Sequence, residues 1–147
     1  MSLTIRDVSP RDFNSWYPLW QGYNAFYERE IADEITKLTW LRFFDAYEPV
    51  YALVAEKDGQ LLGLAHFLFH RSTSLIEPTC YLQDLFTSES ARGQGIGKAL
   101  IEAVYRRAKD GGASRVYWQT HETNSTARIL YDKLASNSGF IVYRKLL

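Results

Sequence analysis

Arg92-Gly93-Gln94-Gly95-Ile96-Gly97-Lys98 puts three glycines and two cations where one structural period gives way to another. Before it, Tyr81 to Phe86 is a short, strand-like run of apolar and aromatic residues. After it, Ile96, Ala99, Leu100, Ala103, Val104 and Ala108 recur at helical spacing. The first amides of a helix lack intrahelical carbonyl partners and carry the positive end of the helix dipole. Glycines there remove the Cβ atoms that would hold a ligand off the backbone, and they admit the positive φ values that turn successive N–H groups toward one point. The chemistry this stretch can do is to cradle an anion, most naturally a phosphate or pyrophosphate.

Spacing separates the known users of such a turn. A P-loop needs G-x-x-x-x-G-K-[ST], but Arg92 stands at its first glycine and Ala99 at its hydroxyl position. A dinucleotide fingerprint needs G-x-G-x-x-G, and counting from Gly93 or Gly95 puts Lys98 or Leu100 at the third glycine. The pattern that fits is [QR]-x-x-G-x-[GA], met by Arg92, Gly95 and Gly97. With the preceding LQDLFT, the following VYWQT and a later NSTARILY holding Asn124 and Tyr131, the chain resembles the GNAT superfamily of N-acetyltransferases. It is most similar to the branch that includes yeast histone-acetyltransferase-like proteins; LQDLF, RGQGIGKALIEAVY and THETNSTARILYD carry that likeness, strongly over the C-terminal half and by pattern over the rest.

The resemblance implies an acyltransferase that uses acetyl-CoA. Gly93, Gln94, Gly95, Ile96, Gly97 and Lys98 would hold the pyrophosphate, with Arg92 adding a side-chain contact. Backbone groups at Leu85, Phe86 and Thr87 would pair with the pantetheine arm. Asn124 would bind a pantetheine amide or cap its helix, Lys133 would reach the 3′-phosphate, and Tyr131 would protonate the leaving thiolate. Tyr23 and Tyr27 become candidates for the acceptor side, because the first helices line that cleft in the family.

A primary amine must lose its proton before it attacks. For a lysine-like amine of pKa about 10.4, neutrality at pH 7 costs roughly 4.6 kcal/mol. Relatives that acetylate polyamines meet this with a glutamate on the central strand, and that position here is Gln83, which accepts no proton. Asp84 is adjacent, but strict alternation along a strand turns it to the opposite face. His121, after the next strand, has a suitable intrinsic pKa. Asp84, His121 and a water path to solvent all stand as proton acceptors, and Gln83 and Asp84 both stand as substrate-side residues.

The elements that must position these groups follow from the rest of the chain. At 147 residues it is read as one domain, 1–147, long enough to bury roughly 70% of its unfolded surface. Seventeen basic residues balance seventeen acidic ones. Attraction to nucleic acid or an anionic membrane therefore has no global driving force. Cys80 is the single cysteine, so there is no internal disulfide, and with no signal or membrane-spanning run the expectation is a soluble, cytoplasmic protein. His66 and His70 lack a third ligand and are assigned to structure, and no metal is expected. Cys80 has no evident base and no nucleophilic role.

Leu3 to Val8 reads as a strand. Ser9-Pro10 then opens a helix bearing Phe13, Trp16, Tyr17, Trp20, Tyr23 and Tyr27 on one side, and Pro18 should split that helix near Tyr17. The aromatic stripe is either plain core or a wall with one wet side. Glu28, Glu30, Asp33 and Glu34 are placed in a connector, and Thr39 to Phe44 in a shorter helix. Val50–Glu56 and Leu61–Arg71 form a hairpin through Asp58-Gly59. Cys80–Thr87 is the central strand, Gly95–Lys109 a helix, Arg115–Thr120 a parallel neighbour of the central strand, Asn124–Leu134 the last helix with Ile129, Leu130 and Leu134 inward, and Gly139–Lys145 a closing strand.

The implied fold is an α/β (α+β) domain: a mixed, mostly antiparallel sheet with a parallel strand pair splayed at the CoA site, flanked by about four helices. The implied activity is direct acetyl transfer to a primary amine of a small molecule, of polyamine or amino acid type, or to a protein lysine. Family habit adds a homodimer. A non-catalytic acyl-CoA sensor is the alternative reading, against which Tyr131 and Asn124 speak.

Overall fold

A computed structural model describes residues 2–147. The chain runs through β1 (Thr4–Asp7), a 3-10 turn at Pro10–Asp12, α1 (Phe13–Phe26), α2 (Asp33–Arg42), β2 (Val50–Lys57), β3 (Gln60–His70) and β4 (Thr79–Thr87). A second 3-10 turn at Glu89–Ala91 leads into α3 (Ile96–Asp110), β5 (Arg115–Tyr117) and α4 (Ser125–Leu134). Among the described residues the strands form one sheet in sequence order, antiparallel from β1 to β4 and parallel between β4 and β5.

Local chemistry accounts for the joints. Ser9 accepts a hydrogen bond from the Arg11 amide, and its own amide donates to Asp12 Oδ2 at 2.7 Å, a reciprocal cap that starts the first helical turn. Arg6 reaches from β1 to both Asp12 (2.7 Å) and Glu56 on β2 (3.2 Å), tying that turn to the sheet edge. The β2–β3 hairpin turns at Asp58 (φ 53°) and Gly59 (φ 76°), with Lys57 opposite Gln60.

The sheet is buried on both faces. Leu53, Ala55, Ala65, Phe67 and Leu82 meet Leu100, Ile101 and Val104 of α3, while Val54 and Leu64 meet Trp16, Leu19, Trp20 and Tyr23 of α1 and Trp40 of α2. The stripe on α1 is therefore core along most of its length. Gly63 lets the start of α3 settle on the sheet: a Cβ there would lie 2.9 Å from the Phe86 carbonyl oxygen and 3.1 Å from Ile96 Cγ2.

Several expectations are corrected. Helix α1 is continuous through Pro18; Pro18 and Asn14 are both exposed, so the Asn14 carbonyl, deprived of its intrahelical donor, faces water. Helix α2 starts at Asp33, so Asp33 and Glu34 lie in its first turn, favourably placed against the helix dipole, rather than in a connector. Strand β5 stops at Tyr117. On α4, Leu130 and Leu134 pack inward but Ile129 is exposed. Residues 139–145 form no strand, and Phe140, Ile141, Val142 and Tyr143 are exposed. β propensity alone does not pair a strand; it needs an adjacent edge of matching length.

Candidate active site

Strand β5 pairs with β4 only from Thr79 to Tyr81. Beyond Tyr81 the two strands part, and among the described residues the Leu82–Thr87 half of β4 has no strand on that side. Such an edge presents unpaired backbone groups to anything extended that lies along it. Leu85, Phe86 and Thr87 occupy this open half, where the sequence placed the pantetheine contact.

The glycine turn follows at once. Gly93 and Gly95 both have φ 80°, and a Cβ at either would meet nothing within 4 Å, so space is open in front of the backbone. Ala99 is the first residue of the helix whose amide finds a carbonyl, that of Gly95 at 3.0 Å; among the described residues the amides from Gly93 to Lys98 donate to no backbone carbonyl. A bare cradle of N–H groups at the N-terminus of a four-turn helix fits the pyrophosphate of CoA. The Arg92 guanidinium lies over the rings of Phe86 and Phe26 and donates from Nε to the Thr87 carbonyl at 3.2 Å, bracing the turn against the end of β4. Gly97 brings α4 close: a Cβ there would lie 3.5 Å from Leu130 Cδ2 and 3.9 Å from Thr87 Oγ1. End of β4, start of α3 and middle of α4 therefore converge.

Tyr131 comes from that part of α4. Its ring packs edge-on against Trp118 at 5.4 Å, and burial, with Tyr27 adding to it, pushes its hydroxyl up to about 12. Tyr131 thus keeps its proton across the neutral range. Asn124 stands before α4, but its side chain makes no cap; Nδ2 donates to Thr120 Oγ1 at 3.1 Å, which leaves the amide oxygen free. Lys133 is exposed on the last turn of α4.

The acceptor side is aromatic. Tyr23 and Tyr27 lie edge to face at 5.1 Å, and His121, exposed, lies 5.5 Å from the Tyr27 ring. The Tyr23 hydroxyl donates to the Gln83 carbonyl at 3.4 Å; burial first, then the Asp84 carboxylate, raises its pKa well above the usual tyrosine range. Arg29 sits over both rings, held through Nε and Nη2 by Asn24 Oδ1. Arg29 also lines a cavity of about 340 Å³ on the neighbouring flank of α1, together with Glu30 and Asp33.

Asp84 is where the alternation rule fails. His66 pairs with Asp84 but Phe67 pairs with Leu82, so Gln83 is an extra residue, a β-bulge. Leu82 points to the α3 face, yet Asp84, two residues on, lies beside His66 on the α1 face, with His66 Nδ1 2.9 Å from Asp84 Oδ2. The bulge turns the Asp84 carboxylate into the aromatic cleft, while Gln83 is exposed. His66, assigned to structure from sequence, belongs to this site. So does Arg29, which sequence reasoning passed over; a cation two residues beyond Tyr27 was the available signal. His70, by contrast, is exposed and bonds Tyr117 Oη at 2.8 Å. Cys80 is fully buried, its thiol pushed up to about 11 by burial, which makes it a poor nucleophile.

The family description "Acetyltransferase (GNAT) family" matches residues 13–135. This chain belongs to the GNAT acetyltransferase family. It is 32% identical over 145 residues, 97% of its own length and 90% of the other's, to the D-amino-acid N-acetyltransferase HPA3 of Saccharomyces cerevisiae (strain ATCC 204508 / S288c). It is 29% identical over 144 residues to the uncharacterized N-acetyltransferase YhfO of Bacillus subtilis (strain 168), covering 96% of this chain and 95% of that one. Solved structures share the fold: a ribosomal-protein-alanine N-acetyltransferase from Brucella melitensis biovar Abortus 2308 superposes with TM-score 0.83 at 22% identity, and AAC(6')-Iy with a CoA-containing bisubstrate analog with TM-score 0.86 at 20%, each covering 100% of both chains. The mixed sheet with its splayed parallel pair is the GNAT fold, and the chain is an acetyltransferase of the histone-acetyltransferase-like branch; a purely sensing role is not favoured.

Proposed function

We propose that this chain, as one domain over residues 1–147, transfers the acetyl group of acetyl-CoA directly to a primary amine of a small molecule. Asp84 is the proton acceptor and Tyr131 the donor to the departing sulfur. The observation that carries the reading is the bulge at Gln83. It turns a carboxylate toward the aromatic cleft from within the open half of β4.

Bound in the cradle and along β4, acetyl-CoA supplies an activated acyl group, so the chain's own residues have to position and move protons. Asp84 takes a proton from the ammonium group, leaving a neutral amine whose lone pair forms the new bond to the carbonyl carbon as the carbon–sulfur bond breaks; the surplus proton left on the new amide nitrogen passes to water in the cleft. Tyr131 then donates to sulfur. With its hydroxyl near 12 and a free thiol near 8.5, full transfer to the thiolate is uphill by roughly 5 kcal/mol. Tyr131 therefore acts chiefly as a hydrogen-bond donor to the developing charge, and the sulfur takes its proton as the phenol is recharged from water. His121, exposed against Tyr27, is the second candidate acceptor.

Arg29 favours an acceptor that carries an anion. A guanidinium beside Tyr23 and Tyr27 attracts the carboxylate of an amino acid and repels a polyamine, and the named activity of the yeast relative points the same way. The exposed run Phe140–Tyr143 supports a homodimer. Among the described residues no helix is long and apolar enough to cross a membrane, and the lone Cys80 is consistent with the cytoplasm.

Steady-state turnover of a panel of amino acids, polyamines and lysine peptides, read as thiol release from acetyl-CoA, tests this. Amino acids should be turned over with higher kcat/KM than polyamines, and thiol release should require the amine. Turnover confined to polyamines would refute the Arg29 argument, and no turnover of any amine would refute the transferase reading.

A further inference from the structure

Behind Asp84 lies a row of buried groups that the reaction as written does not use. Trp16 is fully buried and His66 nearly so; Trp16 Nε1 donates to His66 Nε2 at 3.1 Å, and His66 Nδ1 is 2.9 Å from Asp84 Oδ2. An indole N–H can only donate, so Nε2 must accept. The ring's single proton is therefore on Nδ1, facing the carboxylate. His66 thus accepts from Trp16 at Nε2 and donates to Asp84 from Nδ1.

The ring cannot turn to offer anything else. It lies 4.8 Å from the Phe43 ring, 5.5 Å from Trp20 and 5.9 Å from Trp16, centroid to centroid, in the aromatic layer between α1, α2 and the sheet. The torsion that sets an aspartate's carboxylate plane is broad and soft, so the backbone does not aim Asp84 by itself. Asp84 Oδ1 takes no bond from His66 and is not a buried unpartnered atom; the Tyr23 hydroxyl stands close to the same carboxylate, and 12% of the side chain is exposed. One oxygen is clamped from behind and the other is presented to the cleft, toward which Tyr23 and Tyr27 of the α1 region and Arg29 also face.

We infer that His66 is a positioning residue for amine deprotonation: it fixes Asp84 Oδ2 so that Oδ1 meets the ammonium proton, and Trp16 fixes His66. The inference rests on Asp84 being the proton acceptor. It also separates clamping from relay. A histidine that passed the proton inward would need Nε2 free, and Trp16 occupies Nε2. The proton taken up at Oδ1 must leave by the cleft, and nothing is oxidised or reduced on the way.

Asparagine and glutamine substitutions discriminate, because an asparagine amide reaches the place of Nδ1 whereas a glutamine amide reaches the place of Nε2. His66→Asn keeps a donor to Asp84. His66→Gln keeps a partner for Trp16 and leaves Asp84 unclamped. With the best amine of the panel at saturation, Asp84→Asn should lower kcat about 100-fold or more. His66→Gln should lower kcat on the order of 10- to 100-fold with KM for acetyl-CoA unchanged, while His66→Asn recovers most of it. The double variant His66→Gln/Asp84→Asn should be no slower than Asp84→Asn alone, since His66 acts through Asp84. Melting temperatures of all four variants register any loss of fold. The inference is overturned if the two His66 variants are equally slow or equally fast, or if the effects of His66→Gln and Asp84→Asn multiply. Parent-like kcat in Asp84→Asn would overturn the choice of Asp84 and the clamp with it, while leaving acetyl transfer standing; no turnover by the parent would overturn acetyl transfer itself.

Discussion

Tyr131 shows what burial does to a single side chain at this site. Its hydroxyl, raised to about 12, stays protonated below that value and is lost as a donor only as pH rises through it. No falling alkaline limb assignable to Tyr131 is therefore expected in kcat below about pH 11. Tyr131→Phe should cost on the order of 10- to 100-fold in kcat at saturating acetyl-CoA, within the range of a lost proton donor. An alkaline limb near pH 9 that vanishes in Tyr131→Phe would contradict the raised pKa, and unchanged kcat would contradict the donor role. Residue identity singles out Tyr131, Asn124 and the glycines as candidates in the sequence, because the chemistry proposed for them is tied to a short, ordered pattern. Asp84 was legible as a carboxylate but not in its direction. Two residues of perfect alternation send it away from the cleft; the bulge at Gln83 sends it in, and a bulge depends on the partner strand.

The elements that sequence placed well carry their own instructions. The Asp58-Gly59 turn needs positive φ at both residues and has it, and α3 begins where Gly95 takes a left-handed conformation that a larger residue resists. Gly95→Ala tests the cradle at this scale. A Cβ there meets no protein atom within 4 Å, so the fold should lose only about 1 kcal/mol for the φ of 80°, seen as a small fall in Tm. The same Cβ enters the space before the unpaired amides, so KM for acetyl-CoA should rise severalfold. An unchanged KM would remove the pyrophosphate from this turn. Elements whose limits are set by distant neighbours were harder to read. Pro18 did not break α1, because the carbonyl it orphans faces water. The start of α2 at Asp33 follows from packing, with Thr36 buried and accepting from Trp20 Nε1 at 3.0 Å, a contact that no local periodicity announces.

At the scale of the molecule, the proposed function rests on a sheet that fails to stay paired. Strands β4 and β5 separate after Tyr81 and Tyr117, and the cradle, the carboxylate and the α4 tyrosine all border the opening. The mixed sheet was legible from the order of strand-like and helical runs. The closing strand expected at 139–145 does not form, because pairing is no property of the run itself. Its exposed Phe140, Ile141, Val142 and Tyr143 support assembly with a second copy. Ile141→Glu should convert a dimer to a monomer in sedimentation equilibrium, and an unchanged dimer would place the interface elsewhere. The central claim, direct movement of an acetyl group from CoA to an amine, is tested most directly by acetyl-CoA labelled in the acetyl carbon. After reaction with the best amino acid of the panel, the label should appear on the amine nitrogen in equal moles with free thiol, and never on the protein when the amine is withheld. Label retained on the protein, or thiol released without acetylated amine, would contradict it.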